Sequence, residues 1–247
     1  MRFRRLLGWD LRFQARYGFY LLYGFLTTFY TMILFAIPTS WKEKTAAILI
    51  FSDPAAMGLF FMGAIVLLEK SQKVTSYFAI TPLKAWEYVW SKVFSLCAIS
   101  LVVAAVLAFI SGCRHILSPL VGTFLANVIF TLCGIIVATK ISSLNQFILA
   151  TVPIEILGFV PAVLHLFGVG SFSGDNLLSL ADRMNLVNLL ITLADRLYPA
   201  DVCMDLVMGK VPSIPGLAVT VLVIALLTLS ANKSVLKLWQ VQGGVKL

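Results

Sequence analysis

The residue in this chain with the strongest claim to chemistry is a carboxylate set inside an apolar run. Glu155 stands eight residues beyond Phe147 in the run Phe147–Val169, about 12 Å along a helix. Charge is costly in hydrocarbon, so such a residue marks an ion path, a proton relay or a substrate contact, or else makes a structural hydrogen bond into a bundle. Pro153 and Pro161 bracket it, and each removes a backbone bond, which predicts a kinked helix with free carbonyls. His165 lies ten residues on, about 80° round the helix, and is a poor partner for it. Asn127, in the run Pro119–Thr139, reads as hydrogen-bonding glue between helices or as a substrate contact.

Covalent chemistry has little support elsewhere. Gly170-Ser171-Phe172-Ser173-Gly174 puts Phe where a G-x-S-x-G nucleophile belongs. Gly209-Lys210 lacks the upstream glycine of a phosphate loop and is followed by Val211. The four cysteines form no C-x-x-C or His-Cys cluster, so neither a metal nor a redox centre is expected. Cys113 and Cys203 could pair in an oxidising compartment, with free thiols as the default. The chemistry that remains is binding and gating.

The elements that position these residues are membrane spans. With 60% apolar residues, 12% charged and a mean hydropathy of +0.96, the chain lies outside the range of soluble domains. A crossing needs about 17 to 25 apolar residues. Six are read, at Tyr17–Ile37, Pro54–Leu68, Val93–Ile110, Pro119–Thr139, Phe147–Val169 and Pro215–Ala231, giving an all-α polytopic fold. Asp53-Pro54 and Ser118-Pro119 read as N-cap plus first helical residue. The second span is short, and either draws in the apolar stretch Thr45–Phe51 or thins the bilayer. A seventh crossing at Asn176–Leu193 is disfavoured, because mid-span Asp182 and Arg183 would each cost about 2.5 to 3.5 kcal/mol.

Of the 19 Lys and Arg residues, 13 fall on the side that holds both termini and 6 on the other, which predicts that both termini are cytoplasmic. The net charge of +8 is then a property of the cytoplasmic face. It suits anionic lipid and an acidic protein partner, and no nucleic-acid motif accompanies it. Gly170–Ile214 is expected as an outer-side loop whose apolar runs Leu186–Leu193 and Val202–Met208 lie against or dip into the membrane.

Residues 1–16 read as an uncleaved amphipathic helix lying in the headgroup plane. Phe3, Leu6, Leu7, Phe13 and Tyr17 share one side and Arg4, Arg5, Arg12 and Arg16 the other. Asp10 breaks the apolar side without a cation at i±3 or i±4, so any partner must come from elsewhere in the fold or from another chain. Residues 69–92 form the largest cytoplasmic loop. Within it Thr81-Pro82 predicts a helix start, which leaves a short independent element between Lys73 and Ile80. Tyr77, Trp86, Tyr88 and Trp90 also suit an aromatic belt.

Glu69-Lys70, followed by Thr75, Thr81-Pro82-Leu83 and Glu87-Tyr88-x-x-Ser91-Lys92 leading into a span, resembles the ABC-2-type permeases. The N-terminal run Trp9-Asp10-Leu11-Arg12-Phe13-Gln14-Ala15-Arg16-Tyr17-Gly18-Phe19-Tyr20 is similar to the start of the fluoroquinolone-export subgroup. Where the family has Glu-Arg-Glu-x-Gly-Thr, this chain has Glu69-Lys70-Ser71-Gln72-Lys73-Val74-Thr75, without the second acid or the glycine. The resemblance implies an elbow helix carrying Asp10, Arg12 and Arg16, and a coupling helix that docks on a separate ATP-binding subunit through Glu69, Lys70, Lys73, Thr75, Pro82 and Glu87. It implies no cofactor on this chain, with ATP and Mg on the partner ATPase. A second permease chain, identical or not, would complete the pathway, with Glu155 and Asn127 as its candidate residues. The rival expectations are an autonomous ion-coupled transporter using Glu155 and a non-transporting membrane anchor or immunity protein.

Overall fold

The structure is a computed structural model that describes residues 2–53, 58–81, 83–113, 115–167 and 197–243. No strand occurs among them. Ten helices follow in order: α1 (Arg2–Arg16), α2 (Phe19–Ala36), α3 (Thr39–Ser52), α4 (Leu59–Ser71), α5 (Val74–Ile80), α6 (Ala85–Ser111), α7 (Leu117–Lys140), α8 (Leu144–Leu166), α9 (Pro199–Val207) and α10 (Ile214–Gly243). Five of them, α2, α6, α7, α8 and α10, are long and apolar enough to cross a membrane.

Apolar residues on nearly every side of α6 and α7 make these two helices the centre of the bundle, and the others pack around them. The outer helices α2, α8 and α10 leave large apolar side chains exposed, among them Leu21, Phe25, Leu149, Leu157 and Leu226. Faces of that kind are a liability in water and the expected surface in lipid.

Contacts at the helix ends define two faces of the bundle. At one, α1 meets the start of α6, the end of α4 meets the end of α7, and α5 packs on the last turns of α10. At the other, Trp41 at the start of α3 lies 6.4 Å from Phe167 just beyond α8, and α9 packs on α7 and α8. The described ends of the chain, in α1 and α10, therefore lie at the same face. Neither α3, at about 21 Å, nor α4, at about 20 Å, is long enough to cross alone. They run in series from one face to the other on either side of residues 54–57.

Several expected boundaries move, each for a physical reason. The short second span draws in the apolar stretch Thr45–Phe51, one of its two expected alternatives: Ala46, Ala47, Ile50 and Phe51 of α3 are buried, so apolar packing starts well before Pro54. Asp53 is the C-cap of α3 with helical φ and is 1% exposed; it does not cap a following helix. Ser118 caps nothing either, because its hydroxyl donates to the Leu206 carbonyl at the end of α9 (2.7 Å), and α7 begins at Leu117. The helix expected to open at Thr81-Pro82 opens at Ala85, with Thr81 closing α5 and the Glu87 carboxylate accepting from the Lys84 N–H (3.1 Å). Pro82, Leu186–Leu193 and the Asn176–Leu193 segment lie outside the described residues. Val202–Met208 supplies most of α9, whose Val202, Cys203, Met204 and Val207 are buried against the bundle. All four cysteines are free, and burial pushes the Cys203 thiol up to about 12.

Glycine sets the closest helix crossings. A Cβ on Gly63 would meet the Phe147 ring at 1.9 Å, one on Gly134 the Leu59 carbonyl at 2.8 Å, and one on Gly122 the Cys203 carbonyl at 2.7 Å. Close approach through small residues is how helices associate where lipid removes the hydrophobic drive. Gly24 has nothing within 4 Å. Gly63→Ala is expected to lower stability in detergent by about 1 to 3 kcal/mol through overpacking. Gly24→Ala is expected to be neutral or to gain about 0.5 to 1 kcal/mol. Thermal unfolding of the two variants side by side checks the crossing.

Candidate functional site: a buried junction of α1, the 69–92 segment and α6

The residues that the sequence singled out around position 10, around position 69 and around position 90 meet in one buried network. Lys92, in the second turn of α6, is 1% exposed and sends its ammonium to Asp10 Oδ1 of α1 (2.6 Å) and to Glu69 Oε1 of α4. The remaining carboxylate oxygens are also satisfied. Ser91 Oγ donates to Asp10 Oδ2 (2.5 Å), and the Tyr88 hydroxyl donates to Glu69 Oε2 (2.6 Å). The rings of Tyr88, Trp9 and Phe13 stand 5.3, 5.6 and 6.0 Å from the ammonium, placing electron-rich faces around the charge. One turn on, Gln14 Nε2 donates to Ser95 Oγ (2.9 Å), a second tie from α1 to α6.

The local sequence explains why the acids point inward. On α1 the face carrying Phe13 and Gln14 packs on α6, and Asp10 is one turn before Gln14 on that face, while Arg4, Arg5, Arg12 and Arg16 remain exposed. Asp10 thus has its partner in the same chain, 82 residues away. Glu69, expected as a docking point for a partner protein, is instead fully enclosed. Lys70, expected in the same role, is turned to the end of α7, where its ammonium donates to the carbonyls of Ile141 (2.5 Å), Ala138 (3.1 Å) and Thr139 (3.4 Å). A cation there satisfies the orphan carbonyls of a helix C-terminus and the negative end of its dipole.

What remains outward on the 69–92 segment is basic and aromatic. Lys73, Tyr77, Lys84 and Trp86 are exposed, Thr75 is buried, and Glu87 is half-buried against the start of α6. Lys73 adopts a left-handed conformation (φ 58°) between α4 and α5, an uncommon state for a residue with a Cβ. Beyond that turn α5 is fastened by an aromatic cluster. Phe78 lies 5.6 Å from Tyr88 and 6.2 Å from Trp239 of α10, and Tyr88 lies 5.8 Å from Trp239. Tyr88 is therefore shared between the ion network and the seat of α5.

The residues expected in a pathway are separate from this junction and from each other. Asn127 is buried between α6 and α7, where Nδ2 donates to Ser100 Oγ (2.8 Å) and Oδ1 accepts from Thr131 (2.9 Å) and Cys97 (3.3 Å). Glu155 is half-buried at the edge of the exposed face of α8 formed by Val152, Ile156, Leu157 and Val160. His165 Nε2 pairs with Asp205 Oδ1 of α9 (3.1 Å) at the opposite face from the junction. A cleft of about 350 Å³ beside α1 is lined by Trp9, Arg12, Arg16, Tyr17 and Gln72. Sequence reasoning missed Lys92, Tyr88 and Ser91 as site residues, although Glu87-Tyr88-x-x-Ser91-Lys92 had been noted as a motif.

Lys92→Met leaves two carboxylates buried together and is expected to cost about 3 to 5 kcal/mol. Asp10→Asn with Glu69→Gln and Lys92→Met removes all three charges at nearly constant shape and should recover most of that loss. Denaturant unfolding in detergent distinguishes the two. Equal losses in the single and triple variants would show that the contacts do not act as one network.

Residues 1–195 match the Fluoroquinolones export permease protein family, a stretch that holds α1, all of the 69–92 segment and Lys92. Two relatives from Mycobacterium tuberculosis are similar to the chain: Fluoroquinolones export permease protein MT2761 of strain CDC 1551 / Oshkosh and Fluoroquinolones export permease protein Rv2687c of strain ATCC 25618 / H37Rv. Each is 31% identical over 163 residues, 65% of this chain and 68% of the relative. A multi-pass membrane protein whose first 195 residues match in this way belongs to the fluoroquinolones export permease family.

Proposed function

We propose that the chain is the transmembrane subunit of an ATP-driven exporter of the ABC-2 type, with ATP and Mg bound by a separate subunit docked at the junction face. The observation that carries this reading is the mounting of α5. This seven-residue helix is held beyond the core by Tyr88 and Trp239, and through Tyr88, Glu69, Lys92 and Asp10 it is tied to the elbow and to α6. A displacement applied to α5 would pass into the bundle through contacts that have no slack. The outward groups Lys73 and Lys84 suit an acidic partner.

Six crossings with both termini cytoplasmic, in the cell inner or plasma membrane, fit the chain ends lying at one face, since only an even number of crossings returns them there. The pathway would form with a second permease chain across α8. A carboxylate at the edge of a lipid-exposed face is costly, and a second copy or a related chain would cover both Glu155 and its apolar surroundings. The exposed arginines of α1, with the cleft at Arg12 and Arg16, suit anionic lipid headgroups.

Mild affinity purification from the native host should recover an ATPase with the chain. Lys73→Glu with Lys84→Glu should weaken that association by up to about tenfold, since exposed ion pairs are worth about 0 to 1 kcal/mol each. Phe78→Ala, which removes the ring that seats α5 on Tyr88 and Trp239, should leave basal ATP hydrolysis while abolishing ATP-driven movement of a fluoroquinolone probe across reconstituted vesicles. Transport lost to a protonophore with ATP held constant, and no ATPase recovered, would instead support an autonomous ion-coupled carrier.

A further inference from the structure

A second buried acid has none of the partners that Glu69 and Asp10 enjoy. Asp53, at the end of α3, is 1% exposed, and neither of its carboxylate oxygens has a hydrogen-bond partner among the described residues. The Tyr23 hydroxyl of α2, also buried, has none either. Ser100 of α6 is the hydroxyl that acts on both groups, at a geometry looser than a full hydrogen bond. Its oxygen accepts from Asn127 Nδ2, which leaves the Ser100 O–H proton free to donate.

The ionisable groups near Asp53 are all neutral at ordinary pH. Tyr23 and Tyr30 of α2 lie within electrostatic reach, and Cys97 of α6 adjoins Tyr23. From α7 come the uncharged Asn127 and Thr131. The helices α8 and α9 also pack on α3 and carry Glu155, His165, Asp201 and Asp205. No lysine, arginine or histidine among the described residues pairs with it. An ionised carboxylate so placed costs several kcal/mol even after relaxation, and such a group takes up a proton instead. The contrast with the junction is chemical: there every carboxylate oxygen has a donor and a lysine supplies the counter-charge.

A cleft lies beside Tyr23. Tyr20, Tyr23, Thr27, Thr28, Ile99 and Val102 line a cleft of about 500 Å³ between α2 and α6. Tyr23 belongs both to this wall and to the surroundings of Asp53. Helix α2 is lightly held, with only Tyr23 and Leu34 buried, so it is the element whose movement would let water reach the acid.

We propose that Asp53 is a proton-binding site inside the bundle, loaded in this packing and exchanging through the α2–α6 cleft when α2 moves, so that the permease's conformational cycle is linked to uptake and release of one proton. The step is simple proton transfer: hydronium gives its proton to the carboxylate and leaves as water, and the reverse discharges the site. No electrons move.

Infrared spectroscopy of the full chain in phosphatidylethanolamine–phosphatidylglycerol vesicles tests loading without ATP or cargo, and so independently of the exporter reading. Lowering the pH from 8 to 5 should bring in a protonated-carboxyl stretch that is missing in Asp53→Asn and persists in Glu155→Gln. Asp53→Glu, a second variant should Asn fail to fold, should keep a shifted band. Identical wild-type and Asp53→Asn spectra would overturn the proposal, and so would loss of the band on adding sodium or potassium at fixed pH, which would assign a metal cation. Linkage is read on the chain with its co-purified ATPase. Trapping the nucleotide-bound state should change the band's amplitude by twofold or more, whereas a band that stays constant in every state would mark a structural proton and sink the coupling.

Discussion

Lys92 is the point on which the end of the bundle that carries α1 depends. One ammonium holds carboxylates from two other helices, α1 and α4, whose own sequences give them no reason to stay together. The elbow is otherwise an amphipathic helix that could lie anywhere in the headgroup plane. Glu69 sits in the last turn before the chain reverses into α5. Placing all three charges out of water is tolerable because hydrogen bonds and ring faces complete the site. Replacing such a set with apolar groups is often no less stable. The arrangement therefore contributes register more than net stability: it selects one position for α1 and one exit direction for α5.

From this constraint the position of α5 follows. Tyr88 serves Glu69 through its hydroxyl and Phe78 and Trp239 through its ring, so the last turns of α10 are joined to the same point. Four stretches remote in sequence thus share one side chain's geometry. Lys70 closes the end of α7 over its neighbour's shoulder, and this leaves Lys73 and Lys84 as the basic groups of the segment that face outward. Interior and exterior duties are divided among four lysines that composition alone treats as equivalent.

Much of the fold was legible because lipid imposes a simple rule: backbone polar groups must be satisfied inside each segment, so long apolar runs become helices. Five such runs appear as long helices close to their expected places. The errors have a common cause. Hydropathy ends a span at the first polar residues, yet α6 begins eight residues before Val93 and α10 runs twelve beyond Ala231, because Tyr88, Lys92, Val235 and Trp239 are paid for by tertiary contacts. Asp53 before proline looks like a cap, and only the packing of α3 shows it buried. At the site, the sequence marked the right residues for a different reason. Glu69, Lys70 and Glu87-Tyr88-x-x-Ser91-Lys92 stood out as a motif, but a motif does not say which way a side chain points. Asp10 was the exception, since an acid on an apolar face with no local cation demands a distant partner.

Three carboxylates near apolar surroundings show how differently one chain can treat the same group. Glu69 is given a counter-ion and a donor for each oxygen, so its charge is fixed in place. Asp53 is given no counter-ion, and burial without one is what sets it apart from Glu69. Glu155 is left half-buried on the edge of an open helix face. Burial alone would rank the first two together and set the third apart. Partner chemistry separates all three, and it places the paired charge at the face where the described ends of the chain meet, the unpaired acid in the core, and the half-buried one where only lipid or another chain could complete its surroundings.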